Sequence, residues 1–197
     1  QAISRFLPRE GAYPRSIHES MRYSVFAGGM RLRPILVIAS AEALGKSRNS
    51  ILPFAVATEL IHTYTLIHDD LPALDDDNLR RGKPTNHRVF GEAIAILTGD
   101  ALLTQAFVAM SDMASMSGIP AEDVLKASRE MALAIGSTGV IGGQVVDIES
   151  ENTAVDTATL EYIHIYKTGF LIRACVRCGA ILSQADPAEF SALSRYG

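Results

Sequence analysis

Apolar positions recur along this 197-residue chain at helical spacing, and no stretch shows convincing period-two alternation. The pattern predicts a first helix over 16–27, broken by Gly28-Gly29, and a second over 31–44, with Pro34 in its first turn and Gly45 as its stop. A third spans 51–70 with Val56, Leu60, Ile61, Tyr64 and Ile67 on one side. It ends there because Pro72 disfavours helical backbone at Leu71. A fourth, over 91–114, carries Ile94, Leu97, Ala101, Leu102 and Phe107, with Asp100 in its middle. Pro120 opens a fifth, which runs to 147 through Gly136, Gly139, Gly142 and Gly143. Glycine inside a helix costs about 0.8–1 kcal/mol relative to alanine, so these four point to kinks or to close approach by a helix or ligand. After a polar loop over 149–157, Asp156 or Thr157 caps a helix over 158–184. A last helix opens on the capping-box pattern Asp186-Pro187-Ala188-Glu189. The expected fold class is all-α, a single domain over 1–197 with no internal repeat or linker.

Composition narrows the picture. Apolar residues make up 48% of the chain, enough for one sizeable core. The longest apolar run, 34–41, is far short of the roughly 18 residues of a membrane span, so no membrane partner is expected. A net charge of −4 argues against nucleic acid as a partner. The N-terminal ten residues lack a signal-peptide core, which favours a cytoplasmic location. No initiator methionine is present, so the chain is expected to be part of a longer one. Cys175 and Cys178 form a CxxC in an apolar helical context and are expected to be core thiols in a reducing compartment.

The chemistry concentrates in HDDLPALDDDNLRRGKPTNHR, residues 68–88. Asp69, Asp70, Asp75, Asp76 and Asp77 are followed at once by Arg80, Arg81, Lys83, His87 and Arg88. Clustered carboxylates repel one another unless a cation lies between them, and hard oxygen ligands suit Mg²⁺, which shares its shell with water and substrate phosphates. The adjoining arginines supply charge-assisted donors for the remaining phosphate oxygens. Asp69 and Asp70 also close a helix at its partially negative end, an unfavourable place for carboxylates without a metal. A calcium loop would need a glycine and a closing glutamate that are absent.

This stretch strongly resembles the first aspartate-rich motif of the trans-prenyltransferases, the polyprenyl synthases. It is joined in the family order by GGMRLRP (28–34), ELIHTYTLIHDD (59–70), GDALL (99–103), GGQVVD (142–147) and YKTG (166–169). The resemblance runs from about residue 16 to the end and is most like bacterial farnesyl diphosphate synthases. It implies an isoprenoid-synthase-type antiparallel helical bundle around a central cavity, and a homodimer. It further implies that Asp69 and Asp75, supported by Asp70, hold Mg²⁺ on an allylic diphosphate. Arg80 would bind that diphosphate, and Arg81, Arg33 and His62 that of isopentenyl diphosphate. A salt bridge from Arg80 back to the aspartates and a structural role for His62 are the alternatives. Lys167 would reach the allylic diphosphate, with Thr168 and Gln144 beside the developing carbocation. Met30 stands where the family usually carries a lysine, so a weakened isopentenyl site is expected. The family's second aspartate-rich motif does not occur in these residues, and the chain is expected to be trimmed at both ends.

The implied reaction is Mg-assisted ionisation of an allylic diphosphate (dimethylallyl or geranyl) and its condensation with isopentenyl diphosphate. Tyr64 lies five positions before Asp69, about 7.5 Å along a helix, where an aromatic residue would floor the chain pocket and favour farnesyl diphosphate. A geranylgeranyl diphosphate synthase and a non-catalytic regulatory homologue are the alternatives. A terpene cyclase ranks last, having no use for the isopentenyl pocket.

Overall fold

A computed structural model describes residues 2–151 and 153–197; position 152 of the predicted polar loop lies outside the described residues. The order is α1 (Ala2–Phe6), α2 (Arg15–Val25), α3 (Leu32–Ala43), α4 (Arg48–Asp69), β1 (Leu79–Arg80), β2 (Lys83–Pro84), α5 (Asn86–Phe90), α6 (Glu92–Met116), α7 (Ala121–Ile135), α8 (Val140–Glu149), α9 (Thr157–Ile163), a π-helical turn (His164–Gly169), α10 (Phe170–Leu182) and α11 (Pro187–Tyr196). The expected all-α class holds, interrupted only by a two-residue-stranded antiparallel hairpin among the described residues. The chain divides into two compact units, Gln1–Leu32 with Leu52–Asp112 and Arg33–Ile51 with Met113–Gly197.

In the first unit the side of α4 expected from periodicity is buried: Val56, Leu60, Ile61, Tyr64 and Ile67 are all in the core. The stripe on α6 differs from the expectation. Its buried positions include Ala95, Thr98, Leu102, Ala106, Ala109 and Met110, whereas Leu97 and Phe107 are exposed. Small side chains on the inward face allow close packing, so residue size misleads about which face is inside. A buried polar cluster ties the unit together. Ser20 Oγ donates to Asn86 Oδ1 at 3.0 Å and lies 2.7 Å from Thr98 Oγ1, while Asn86 Nδ2 donates to Ser24 Oγ at 2.8 Å. Every member finds a partner, as burial of polar groups requires.

In the second unit the helix expected over 120–147 is two helices, because the chain turns at Gly136–Gly139 between α7 and α8. The one expected over 158–184 is continuous but passes through the π turn. Both caps are as expected: Asp156 accepts from Thr159 N at 2.8 Å, and Asp186 with Glu189 forms a complete capping box. Cys175 and Cys178 are buried on α10 and form no disulfide, with Cys178 Sγ donating to the Ala127 carbonyl of α7 at 3.3 Å. Burial pushes the Cys178 thiol well above its ordinary pKa. Where α3 meets α10, a Cβ on Gly179 would stand 2.8 Å from Ser40 Cβ, and Ser40 Oγ donates to the Val176 carbonyl at 2.7 Å.

One expectation about apolar runs needs correcting. Three helical stretches are long and apolar enough to cross a membrane by length and composition: Arg48–Asp69, Glu92–Met116 and Ala121–Glu149. No unbroken apolar run marks them because polar and charged residues such as Glu59, His62, Asp100 and Gln105 interrupt them. The first of them has 72% of its most apolar window buried inside the protein.

Candidate functional site

In the first unit, α4 delivers Asp69 and Asp70 at its C-terminal end. The chain then folds back on itself: Asp75 N donates to the Asp69 carbonyl at 2.9 Å, and Leu74 N and Asp76 N donate to the Leu71 carbonyl. The loop made by Pro72 and its neighbours thus returns Asp75 to the helix end beside Asp69. Asp70 is buried, and its Oδ1 accepts from Arg80 Nε at 2.8 Å and from Arg80 Nη2. Arg80 Nη2 also reaches Asp77 Oδ2 at 3.0 Å, while Nη1 takes part in none of these bonds. Burial pushes the Asp70 carboxyl above its usual range, and the hydrogen bond and charge of Arg80 only partly oppose that. The salt bridge back to the aspartates, held open as the alternative for Arg80, is therefore present without any ligand.

The basic half rides on the hairpin. Arg80 pairs with Lys83 across it, and the two residues between, Arg81 and Gly82, take φ of 55° and 76°, as a type I′ turn requires. Its base is pinned by Tyr23 Oη donating to the Pro84 carbonyl and Thr85 Oγ1 donating to the Asp77 carbonyl, each at 2.7 Å. Arg81 at the tip donates from Nη1 to the Gly28 carbonyl. A Cβ on Gly29, itself at φ 117°, would collide with the Arg81 guanidinium, so the glycine pair of GGMRLRP gives room for that contact. Next to it, Arg31 at φ 55° pairs with buried Glu59 of α4 and donates from Nη2 to the Val25 carbonyl at 2.6 Å. Partial burial lowers the Arg81 pKa, Glu59 opposes this, and Arg31 and Arg80 add to it. Met30 is 86% exposed. Glycine in GDALL has a similar purpose: a Cβ on Gly99 would strike the His68 ring, whose Nε2 donates to the Ile96 carbonyl at 3.0 Å.

The other predicted residues fall as follows. His62 is half-buried on α4, and Tyr64 is buried there with its ring edge-on to His68 at 5.8 Å. Arg33 is half-buried in the first turn of α3. In the second unit, Lys167 and Thr168 lie within the π turn, a form often found at functional sites. Lys167 Nζ donates to Asp147 Oδ2 of α8 at 2.7 Å. Gly143 makes this possible, since a Cβ there would sit 2.8 Å from the Tyr166 carbonyl carbon and 2.9 Å from Lys167 Cα. Gln144 Nε2 is shielded from solvent and has no hydrogen-bond partner among the described residues. Thr168 is exposed.

Two pairs of predicted residues are thus brought together within the first unit, Asp69 with Asp75 and Asp70 with Arg80. No group of three or more His, Cys, Asp or Glu side chains stands ready to hold a metal among the described residues. The donor set nevertheless fits Mg²⁺. It is all hard oxygen, Asp69 and Asp75 share one turn, and a cation that keeps several waters needs few protein ligands. The sequence pattern singled out neither Glu59 nor Arg31, whereas the close approach expected at the helical glycines is met at Gly143. A lone carboxylate between threonine and leucine in the apolar run of α4 was the available signal for Glu59.

These features define an all-α prenyl-synthase type of protein, and the chain belongs to the polyprenyl synthetase family, which it matches over residues 14–197. It is 49% identical over 183 residues to a farnesyl diphosphate synthase of Bacillus subtilis, covering 93% of this chain and 62% of the relative. It is 48% identical over 184 residues to a chloroplastic geranylgeranyl pyrophosphate synthase of Catharanthus roseus, covering 93% and 51%. Among solved structures, an FPP/GFPP synthase from Zymomonas mobilis superposes with a TM-score of 0.90 at 37% identity, covering 98% of this chain and 70% of that one. The chain spans 51–62% of the length of these two curated relatives.

Proposed function

We propose that this chain carries the first aspartate-rich site of a short-chain prenyl diphosphate synthase, which joins isopentenyl diphosphate to an allylic diphosphate. The observation that supports this most is the fold-back of the aspartate loop, which sets Asp75 beside Asp69 next to a hairpin presenting two arginines. Mg²⁺, held by Asp69 and Asp75 with Asp70 in support, would neutralise the diphosphate that departs as the allylic cation forms. Asp70 fixes the guanidinium plane of Arg80 and leaves Nη1 for a phosphate oxygen. Arg81, with Arg33 and His62, takes the isopentenyl diphosphate. Lys167 serves the allylic diphosphate, and Asp147 holds its ammonium in place beforehand. Thr168 and Gln144 lie beside the cation, and the unpartnered amide of Gln144 has a hydrogen bond to give.

Buried Tyr64, five positions before Asp69, supports a farnesyl product. Relatives named for farnesyl and for geranylgeranyl diphosphate stand at nearly equal identity, and the longer product is the second reading. The family match across 14–197 supports treating both compact units as one domain. A homodimer is part of the proposal, supported by exposed Leu97, Phe107 and Val108 on α6. A cytoplasmic location belongs to it as well, supported by two cysteines that form no disulfide, with neither nucleic acid nor membrane as partner. The test is an assay with labelled isopentenyl diphosphate, geranyl diphosphate and Mg²⁺, run beside an intact-mass measurement. A labelled fifteen-carbon product that disappears on chelation is expected; a twenty-carbon product overturns the farnesyl assignment, and no product from protein of the full relatives' length overturns the whole proposal.

A further inference from the structure

Glu59 is a carboxylate with 1% of its surface exposed, in the middle of an apolar helix. One oxygen pairs with Arg31, and the other, Oε2, has no hydrogen-bond partner among the described residues. Such a group is costly to bury, and Arg31 adds the cost of a left-handed backbone at a non-glycine residue. What the pair accomplishes is visible in the bonds around it. Arg31 also donates to the Val25 carbonyl, the last residue of α2, so the segment between Val25 and Arg31 is closed into a loop. That loop contains Gly28, whose carbonyl accepts from Arg81, and Gly29, whose missing side chain leaves space for the Arg81 guanidinium.

We propose that Glu59 is a positioning residue for diphosphate recognition: acting through Arg31, it holds the Gly28-Gly29 turn against Arg81 and so aims the remaining Arg81 donors at the ligand. This rests on Arg81 meeting the isopentenyl diphosphate. Both terminal nitrogens of Arg31 are engaged within the protein, by Glu59 and by the Val25 carbonyl. Simple electrostatics and the positioning role predict opposite signs. If Glu59 merely adds negative charge near an anion site, removing that charge tightens diphosphate binding. If it positions Arg81, removing it loosens the turn and weakens binding.

Calorimetric titration of isopentenyl diphosphate, and of inorganic pyrophosphate, into wild type, Glu59→Gln, Arg31→Gln, Arg31→Lys and Arg81→Met separates these. Glu59→Gln and Arg31→Gln are expected to weaken isopentenyl diphosphate binding about tenfold or more, the value of one charge-assisted contact. Arg31→Lys, which keeps the charge at Glu59, should recover most of it. Circular dichroism checks folding, and if Glu59→Gln does not fold, the Arg31→Gln and Arg31→Lys pair decides. Unchanged or tighter binding in Glu59→Gln, with binding lost in Arg81→Met, overturns the positioning role alone. Wild type that binds neither diphosphate overturns the proposed function and this inference together.

Discussion

Replacing Gly143 by alanine puts the packing of the π turn to a direct test. The new Cβ would lie 2.8 Å from the Tyr166 carbonyl carbon and 2.9 Å from Lys167 Cα, against a comfortable carbon–carbon separation of about 3.5–4.0 Å. Both neighbours are backbone, as is Lys167 N, which is closer still, so no side chain can swing away, and α8 must part from the turn by about 1 Å or more. Overpacking of this kind costs about 3 kcal/mol at the upper end of its range, and the helix preference of alanine returns about 1 kcal/mol. The net loss of about 2 kcal/mol corresponds to a Tm lower by about 4–8 °C for a chain of this size. The same displacement moves Lys167 and Thr168, and misplacement by about 1 Å can lower turnover about a hundredfold. Gly169→Ala is the matched control. Its Cβ would meet only the His164 carbonyl oxygen at 3.7 Å, with φ already −63°, so it should raise stability by about 0.4–1 kcal/mol. Thermal unfolding and steady-state kinetics of the two variants give the answer. A Gly143→Ala protein that melts and turns over like wild type would refute the idea that this glycine sets the turn.

Three other outcomes are expected. Met30→Lys places an ammonium on an exposed position of the glycine loop and should lower the Michaelis constant for isopentenyl diphosphate by about ten- to a hundredfold; no change would mean that the slot does not face the ligand. Asp70 has its folded pKa raised by burial, so between the unfolded and folded values the metal-free protein keeps a proton there that the unfolded chain has released. Its stability should therefore fall as pH rises from the ordinary carboxylate value through the raised one, and apparent Mg²⁺ affinity should weaken as pH drops through that window. Melts and Mg²⁺ titrations across pH check this, and an Asp70→Asn variant with the same pH dependence would rule out Asp70 as the source. Cys178, buried and raised well above 9.0, should resist alkylation in the folded protein and react only on unfolding; for the same reason stability should decline above the unfolded thiol's pKa. Rapid labelling of native protein would contradict the buried position.

How far the sequence foretold the molecule depends on the range of the forces involved. The caps at Asp156 and Asp186 were legible because they join residues within three or four positions of each other. The core face of α4 was legible because large apolar residues mark it. On α6 the same habit pointed to Leu97 and Phe107, although alanines line the packed side. The break at Gly136–Gly139 was hidden because glycine is ambiguous between kink and contact, and here both occur: Gly139 lies at the break and Gly143 at a contact. The π turn had no local signal, and its close packing against Gly143 of α8 joins residues more than twenty positions apart. In the site, the acidic and basic blocks were plain as composition. The pairing of Asp70 with Arg80 was offered only as an alternative, and Glu59 was passed over, because each depends on partners ten or more positions away.

The hairpin that carries Arg80 and Arg81 has strands of two residues each, too few to persist alone in water. Its order is lent by Tyr23 and Ser20 of α2, through Pro84 and Asn86. Amide exchange in the hairpin should therefore follow opening of α2 as one cooperative unit. A solvent, truncation or partner that frays α2 would silence the arginines without touching them.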